Sequence, residues 1–406
     1  MNGHRFDRTR DEIVRLAHDG LDWVTFSATA GETLRRVVPF ARCCWHPVDP
    51  GTVLFTGTLC DSTGLSIPRP RVSGSWIAEH EYVIDDVNQY RFLARTGRKA
   101  GATGIATHGN LSRCARNRSI EWWGDELRSA FVVDDNFWGA ASFVRERGDK
   151  WFTEDDVRFL ASLSEPVAKA FRRALVVATT LEAEQPPIIG PGVVVFDADG
   201  NAESVSPAAE RWIEQMVEIP PPSVPAESKT VQAVAARARS LRSGQDPLEL
   251  AARSRTRTRS GSWLLLYGTQ LSGGVGGRTA VIIQPTARSE VAPLVALAYG
   301  LSERERQVMQ LCMQGRSTKQ MAGMLHVSPY TIQDHLKSIF EKTGVSSRGE
   351  LVGQIFLEQY VPAWEELGHP PPGWLGYAKN PSDTPFPAAS TAADAATPAG
   401  RDGLHR

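Results

Sequence analysis

The sequence predicts a multidomain protein with a mixed α/β (α+β) unit, then a smaller α+β unit, then an all-α unit of four helices. The chain has 406 residues, too many for one ordinary domain of roughly 150. Turn residues between apolar runs mark β-hairpins in the first two units, and helix-start residues recur in the third. The predicted boundaries are 1–181 for the first unit, 182–191 for a linker, 192–288 for the second unit, 295–361 for the helical unit and 362–406 for a disordered tail.

Composition and charge narrow the class of protein. The 45 Lys and Arg residues balance 46 Asp and Glu residues, so any contact with a polyanion must come from a local patch. No apolar run approaches the ~20 residues that span a bilayer, and the N-terminal residues lack the apolar core of a signal peptide. Five cysteines, an odd number, fit reduced thiols better than a disulfide framework. We therefore expect a cytoplasmic protein that makes no membrane contact.

Helical and strand patterns alternate in the first unit, as in a sensor-type α/β fold. The turns Asp49-Pro50-Gly51 and Asp134-Asp135-Asn136 between apolar runs indicate two hairpins. Thr153 with Asp156 predicts a helix start, and apolar residues at helical spacing continue that helix to Phe171. The other predicted elements are helices at 11–20 and 30–38 and hairpins at 41–59 and 126–144.

The second unit shows strand patterns around one helix that starts at Ser206-Pro207. Its predicted strands lie at 193–196, 202–205, 262–267 and 278–284. The segment Asp197-Ala198-Asp199-Gly200 resembles the nucleophile strand of haloacid-dehalogenase phosphatases. A turn between two strands explains it more simply, because that chemistry needs a large α/β domain. The glycine loop 273–277 precedes no helix N-terminus, so it is not a phosphate cradle.

Four arginines alternate with Ser and Thr in the second unit: Arg253, Arg255, Arg257 and Arg259. A period of two suits the solvated face of a strand, which is the interpretation we favour. A nucleic-acid patch is the alternative.

Thiols and imidazoles of the first unit raise the question of a metal or redox site. The residues concerned are Cys43, Cys44, His46, Cys60 and Cys114. They lack the spaced pairs that metal sites normally show, so we expect buried structural thiols, with redox sensing as the alternative. His80 and His108 are expected at the surface or in polar networks. We predict no metal, no cofactor and no catalytic residue.

The strongest signals are helix boundaries between residues 301 and 360. Helix starts are indicated by three capping boxes and a Ser-Pro pair: Ser302 with Glu305, Ser317 with Gln320, Ser347 with Glu350, and Ser328-Pro329. Gly315 and Gly344 mark helix ends. The predicted helices lie at 303–314, 318–325, 329–342 and 348–359. Only three residues join the second and third, which predicts a helix-turn-helix.

The third of these helices has two distinct faces. Its apolar stripe consists of Ile332, Leu336, Ile339 and Phe340. Its opposite face carries Tyr330, Gln333, Asp334, Lys337 and Glu341. Such a helix fits the DNA major groove, and we expect phosphate contacts from Lys319, Lys337, Lys342 and Arg348. The alternative is a four-helix unit whose polar face is only solvated.

Residues 301–352, LSERERQVMQLCMQGRSTKQMAGMLHVSPYTIQDHLKSIFEKTGVSSRGELV, resemble the DNA-binding domain of the LuxR family of bacterial transcriptional regulators. The matching motifs are the opening Leu-Ser-x-Arg-Glu, the second-helix Gly-x-Ser-x-x-Gln and the third-helix Thr-Ile-x-x-His-Leu. The resemblance implies that Gln333, Asp334 and Lys337 face base edges. It also implies that Lys319, Thr331 and His335 lie near phosphates.

Two positions depart from the family pattern. The family often has Lys at Gln333, and Met321 replaces the usual Ile. Glutamine can pair bidentately with adenine, whereas lysine favours guanine. Asp334 would repel phosphate, so it should accept from a cytosine amino group or pair with Lys337.

The family also implies dimerisation through the fourth helix. Leu351, Val352, Ile355 and Phe356 give it an apolar face, which suits either a dimer contact or the core of the domain itself. A dimer would require an inverted-repeat site with half-sites spaced by the helical turn.

Residues 137–171 are similar to the closing hairpin and helix of GAF domains, and residues 192–212 resemble the start of a PAS-like domain. Both families commonly bind small molecules or proteins, so we expect the first two units to bias DNA binding. The sequence thus predicts a non-enzymatic transcriptional regulator. Its expected partners are double-stranded promoter DNA, a second copy of the chain, a small-molecule effector and RNA polymerase. The alternative is a signalling protein whose helix-turn-helix docks on a protein partner.

Overall fold

The computed structural model describes residues 2–64, 73–84, 86–106, 120–180, 189–242, 251–272, 277–286 and 288–352. Within these ranges, no helix combines the length and apolar character needed to cross a membrane. Most of the predicted linker, the predicted tail and the fourth predicted helix beyond Val352 lie outside the described residues, as do His108 and Cys114.

Strands form two sheets, and helices cover them or follow them. The strands are β1 (Arg42–Asp49), β2 (Leu54–Phe55), β3 (Thr58–Asp61), β4 (Ala100–Ala102), β5 (Trp123–Val133), β6 (Asn136–Glu146), β7 (Gly192–Phe196), β8 (Ala202–Val205), β9 (Glu218–Ile219), β10 (Arg253–Arg257), β11 (Trp263–Leu271) and β12 (Arg278–Pro285). The helices of the first two units are α1 (Asn2–Leu16), α2 (Trp23–Arg35), α3 (Gly74–Ala78), α4 (Tyr90–Arg95), α5 (Glu154–Ser162), α6 (Ser164–Thr180), α7 (Pro207–Gln215) and α8 (Lys229–Arg242). The remaining helices are α9 (Arg288–Ala298), α10 (Glu303–Met313), α11 (Thr318–Leu325), α12 (Pro329–Thr343) and α13 (Arg348–Val352).

The first sheet contains the hairpins that the turn residues predict. Its strand order is β4-β5-β6-β1-β3-β9, with β2 paired to β1, and all pairs are antiparallel except β3 with β9. Asp134 and Asp135 have positive φ angles of 50° and 57°, as a tight turn between twisted strands requires.

The two faces of this sheet are covered by different parts of the chain. Phe131 and Ala141 belong to a core that includes Trp45 and residues of α1, α2, α5 and α6. Their neighbours Ala130 and Ala140 belong to a second core, because successive residues of a strand point to opposite faces. That second core also contains α8 and the inner face of the second sheet.

The second sheet has the antiparallel order β10-β11-β12-β7-β8. It confirms the four strands predicted for this unit. The hydroxyl of Ser206 accepts a hydrogen bond from the Ala209 N–H at the start of α7, as the Ser-Pro pair predicts. Asp197 lies in an exposed turn, where its carboxylate accepts hydrogen bonds from the N–H groups of Asp199 and Asn201. The turn interpretation of this segment is therefore confirmed.

The first two units are joined by strand pairing as well as by their shared core. Strand β9 of the second unit extends the first sheet by pairing with β3. The Glu218 carboxylate of that strand accepts hydrogen bonds from Ser228 and Thr230, so the strand is also tied to the start of α8. The second unit therefore packs directly on a face of the first.

The single helix predicted to run through Leu163 is wrong: α5 ends at Ser162 and α6 begins at Ser164. The Ser164 hydroxyl accepts from the Val132 N–H at 3.0 Å and donates to the Ala130 carbonyl at 2.7 Å. These bonds attach the chain to β5 where a straight helix would continue. The capping box of Thr153 and Asp156 at the start of α5 is confirmed.

The solvated face predicted for the arginine run is wrong for Arg255, whereas Arg259 is exposed as predicted. Arg255 is only 2% exposed, and its Nε and Nη2 each donate to Asp49 at 2.8 Å. Arg253 pairs with Glu290 at the beginning of α9. Strand β10 is covered by the first unit and α9, and its three central residues, Ser254, Arg255 and Thr256, are all buried. The nucleic-acid patch is excluded for Arg255 by the same contact.

The prediction of reduced thiols is wrong for two of the five cysteines. Cys44 and Cys60 lie opposite each other on β1 and β3 and form a disulfide. Sequence separation gave no sign of this pair, because the register of two strands brings it together. Cys43 is a buried free thiol, as expected, and burial raises its pKa to about 12. A thiolate at Cys43 is therefore disfavoured, which counts against redox sensing at this residue.

Helix α9 connects the sheets to the helical unit. Leu294 and Ala298 belong to the first core, whereas Leu301 belongs to a separate third core with α10 to α13. The first residues of the segment predicted as the helical unit thus pack on the first unit.

Candidate nucleic-acid interface

Helices α10 to α13 begin where the sequence predicts, at Glu303, Thr318, Pro329 and Arg348. Ser302 with Glu305 and Ser317 with Gln320 form complete capping boxes, and the Ser328 hydroxyl accepts from the Thr331 N–H. The third predicted box is only half formed. Glu350 N–H donates to the Ser347 hydroxyl, but the Glu350 carboxylate accepts from Ser346.

The turn between α11 and α12 contains a feature that the sequence analysis missed. His326 ends α11 in the left-handed conformation, with φ 55°, and its N–H donates to the Ala322 carbonyl. Glycine is the usual residue there, because a side chain is strained at positive φ. Gly344 takes the same conformation at the end of α12, as predicted. The helix-turn-helix is therefore closed by a histidine, for which the sequence pattern offers no signal.

The apolar stripe of α12 forms the core of the unit, as predicted. Ile332 and Ile339 are fully buried, and Leu336 and Phe340 pack on them from half-buried positions. Leu351 of α13 is also fully buried in this core, and Val352 packs against it. These two residues therefore serve the domain core, while Ile355 and Phe356 lie outside the described residues.

The opposite face of α12 is exposed. Tyr330, at the N-terminal end of the helix, is 79% exposed, and Gln333, Asp334 and Lys337 follow it along the same face. Within residues 288–352, neither Asp334 nor Lys337 forms an ion pair, so the predicted pairing between them is absent from this part of the chain. This exposed face therefore offers a ligand the amide of Gln333, which can donate and accept hydrogen bonds, the carboxylate of Asp334 and the ammonium group of Lys337.

The predicted phosphate contacts lie around this face. Lys319 is exposed on α11, and Thr331 and His335 are half-buried on α12. The Thr331 hydroxyl lies 2.9 Å from the Ser328 hydroxyl at the helix start. Arg348 instead donates to the Arg316 carbonyl, which ties α13 to the residues before α11.

Lys342 has a different environment from the other predicted contacts. Its ammonium group donates to both carboxylate oxygens of Glu305, at 2.9 and 2.7 Å. Ser338 donates to the same carboxylate at 2.6 Å. Burial raises the pKa of Glu305, but the hydrogen bonds from Lys342, Ser338 and Ser302 outweigh it and lower that pKa to about 2. Lys342 therefore joins the end of α12 to the start of α10, and its charge is compensated inside the unit.

The first unit holds the remaining predicted residues in buried networks. Nδ1 of His46 forms a hydrogen bond of 3.0 Å with the Thr58 hydroxyl, and burial lowers the pKa of the imidazole. His80 is fully buried with Nδ1 2.8 Å from the Trp76 carbonyl, so the polar-network interpretation of this residue is confirmed. Among the described residues, no cluster of His, Cys, Asp and Glu is arranged to hold a metal.

Comparisons with known proteins match the helical unit. The family model for bacterial regulatory proteins of the luxR family covers residues 300–354. The chain is 38% identical over 80 residues to the transcriptional regulatory protein FixJ of Azorhizobium caulinodans, which is 20% of this chain and 36% of that protein. It is 34% identical over 55 residues to the spore germination protein GerE of Bacillus subtilis, which is 14% of this chain and 74% of that protein.

The chain spans only 36% of the length of FixJ and 37% of the length of the probable transcriptional regulatory protein NarL of Mycobacterium tuberculosis. Among solved structures, the chain is similar to the GAF domain of a phosphoenolpyruvate-protein phosphotransferase from Coxiella burnetii. The identity is 13%, the TM-score is 0.27, and the match covers 43% of this chain and 97% of that domain.

Proposed function

Because the chain belongs to the luxR family of bacterial regulatory proteins, we propose that it is a sequence-specific DNA-binding regulator of transcription whose first two units modulate its binding to promoter DNA. The observation that carries the proposal is the exposed polar face of α12 on a helix whose other face is fully committed to the core. A helix of this kind enters the major groove and reads base edges with its outward side chains.

The proposed roles of the interface residues follow from their exposure. Gln333, Asp334 and Lys337 face the bases, with Gln333 suited to adenine and Asp334 to a cytosine amino group. The ammonium group of Lys337 also neutralises a neighbouring phosphate. Tyr330 lies at the leading end of the helix, where it contacts the groove wall. Lys319, Thr331 and His335 lie on the flanks and contact phosphates. We assign Lys342 to the fold of the unit, with any phosphate contact secondary to its pairing with Glu305.

The first two units act as the sensor in this proposal, with a GAF-like fold for residues 1–181 and a PAS-like fold for residues 192–288. Support comes from the direct packing of α9 on the first unit, since a shift in that packing would move the helix that leads into the DNA-binding unit. The regulator is proposed to act as a homodimer in the cytoplasm, with a small-molecule effector and contact to RNA polymerase.

Selection from genomic DNA fragments tests the proposal. The full-length protein is mixed with the fragment pool at two salt concentrations, and the retained fragments are sequenced. We expect an enriched inverted repeat whose retention falls steeply with salt, since phosphate contacts release counterions. A protein-docking helix is the competing function, and it predicts no enriched motif and no salt dependence. Residues 290–406 tested alone show whether the sensor units restrain the DNA reader: restraint predicts binding at least as tight as that of the full chain.

A further inference from the structure

A cavity of about 410 Å³ lies where the first unit, the second unit and α9 meet. The first unit contributes the start of α2 and the outer part of α6, the second contributes β10 and the turn after it, and α9 contributes Leu294. Small-molecule sites commonly have volumes of roughly 300–1,000 Å³ and form at interfaces between domains. None of the residues proposed to contact DNA lies in this wall.

The wall of the cavity contains four large aromatic side chains. Its large rings belong to Trp23, Trp138, Phe171 and Trp263. The indole N–H of Trp138 is buried and has no hydrogen-bond acceptor within the described part of the chain. These side chains suit an apolar ligand body that also carries hydrogen-bond acceptors.

Arg257 places a positive charge in the same wall. Its Nε and Nη2 both donate to the Gly261 carbonyl, at 3.0 and 2.8 Å, and it forms no ion pair with a described residue. Burial lowers the pKa of this half-buried arginine, which is the cost of keeping a guanidinium away from water without a carboxylate. Arg259 follows it in the wall, exposed and likewise without an ion pair in the described ranges.

The carboxylates in the wall are already engaged. The Asp49 carboxylate accepts hydrogen bonds from Nε and Nη2 of Arg255. Asp22 caps α2, where its carboxylate accepts from the N–H groups of Val24 and Thr25. The wall therefore contains three arginines, Arg255, Arg257 and Arg259, and two aspartates, Asp22 and Asp49, so it carries an excess of positive charge.

We propose that this cavity binds an amphipathic organic anion, with its apolar body between the aromatic side chains and its acidic group on Arg257. Resting on the proposed function, the occupied cavity regulates DNA binding through α9, because Leu294 contacts the ligand and the same helix leads into the DNA-binding unit. A ligand shifts the population of DNA-binding conformations when its contacts with α9 differ between them, and Leu294 is the proposed contact.

Fluorescence titration of the full-length protein tests the site. Anilinonaphthalene sulfonate, an aromatic anion, serves as the reporter, excited by energy transfer from the tryptophans of the wall. Decanoate is the competitor, and decanol is its uncharged match. We expect one saturable site, displacement by decanoate, and weaker displacement by decanol by about tenfold or more, since the alcohol lacks a charge-assisted hydrogen bond.

Two variants alter the cavity in different ways. Arg257→Gln removes the charge and should weaken decanoate binding by about tenfold or more. Ala178→Trp fills the space beside α6 and should abolish binding, with the charge retained. Arg211→Gln changes an exposed arginine outside the wall and should leave affinity unchanged. Unaltered melting temperatures establish that each variant is folded. Equal decanoate affinity in all four proteins, or no saturable site in the wild type, overturns the proposal.

Binding to the selected DNA fragment separates this proposal from the proposed function. Failure to bind any fragment both without ligand and with decanoate bound counts against the DNA-binding function, whereas decanoate binding itself is measured without DNA. We expect decanoate to change DNA affinity in the wild type and not in Arg257→Gln. Decanoate binding that leaves wild-type DNA affinity unchanged overturns the regulatory part.

Discussion

Charged side chains are placed differently in the sheets and in the DNA-binding unit. In the first two units, Arg128 with Glu81 and Arg255 with Asp49 are all at most 2% exposed, and each pair meets at 2.8 Å. On α12, Lys337 and Asp334 are exposed and form no ion pair with a described residue. Buried pairs fix one arrangement of the chain, whereas free exposed groups can meet a partner. Burial and pairing, more than charge content, therefore distinguish the proposed binding surface from the rest of the described chain.

The largest effect is expected from a buried pair of the sheets. Arg255→Met leaves Asp49 buried without its partner and should lower the free energy of unfolding by about 3–5 kcal/mol. Urea unfolding followed by circular dichroism measures it. Arg278→Met removes one partner of an exposed pair with Glu203 and should change the unfolding midpoint far less, because solvent screens exposed ion pairs. Similar losses in the two variants would remove the distinction between buried and exposed pairs.

The ion pair between Lys342 and Glu305 provides a test of whether the DNA-binding unit also contains a pair that stabilises its fold. Lys342→Met takes a charged hydrogen bond from Glu305, and we expect a loss of about 1.5–3 kcal/mol in the stability of this unit. Hydrogen exchange of the α10 and α12 amides reports that loss locally. Lys337→Met, five residues earlier on the exposed face, is the matched control and should leave exchange unchanged. A larger effect on exchange from Lys337→Met than from Lys342→Met would contradict the assignment of Lys342 to the fold of the unit.

Acid should weaken the same contact. Glu305 has its pKa lowered from 4.5 to about 2 in the folded protein. Stability from this group is therefore fully present above pH 4.5 and is lost as the pH falls from there toward 2. Hydrogen exchange at several pH values should show this loss for α10 and α12. Lys342→Met should flatten the dependence, and an unchanged pH profile in the variant would contradict the assignment.

Substitution of Gln333 tests whether the exposed face of α12 recognises individual base pairs. Gln333→Ala should reduce discrimination at one base pair by about 1–3 kcal/mol and leave the rest of the selected motif intact. Competition binding with single-base variants of the selected site measures it. Gln320→Ala replaces a glutamine of a capping box on α11 and should not alter base preference. An equal loss of affinity for all single-base variants would indicate that Gln333 contacts the DNA backbone instead of a base.

Local signals predicted the DNA-binding unit well because they act over a few residues. Ser302, Ser317 and Ser328 set helix starts through contacts to residues three positions later, so sequence spacing alone identifies them. The stripe from Ile332 to Phe340 follows from helical periodicity in the same way.

Long-range contacts escaped prediction for the opposite reason. Arg255 is separated from Asp49 by 206 residues, and only the packing of the second unit on the first brings them together. The Cys44–Cys60 disulfide depends on strand register, and the Lys342–Glu305 pair depends on how α12 crosses α10. A period of two along β10 correctly predicts a strand, but it does not say what covers each face.

The salt dependence of DNA binding tests most directly whether the exposed face of α12 reads DNA. Affinity of the full-length protein for its selected site is measured over a range of salt concentrations for the wild type, Lys337→Ala and Lys169→Ala. Lys169 is paired with Glu165 on α6, far from the interface in the chain, and serves as the control. We predict that Lys337→Ala weakens binding and reduces the slope of log affinity against log salt by about one, while Lys169→Ala changes neither. Equal slopes in all three proteins would contradict DNA recognition by this face.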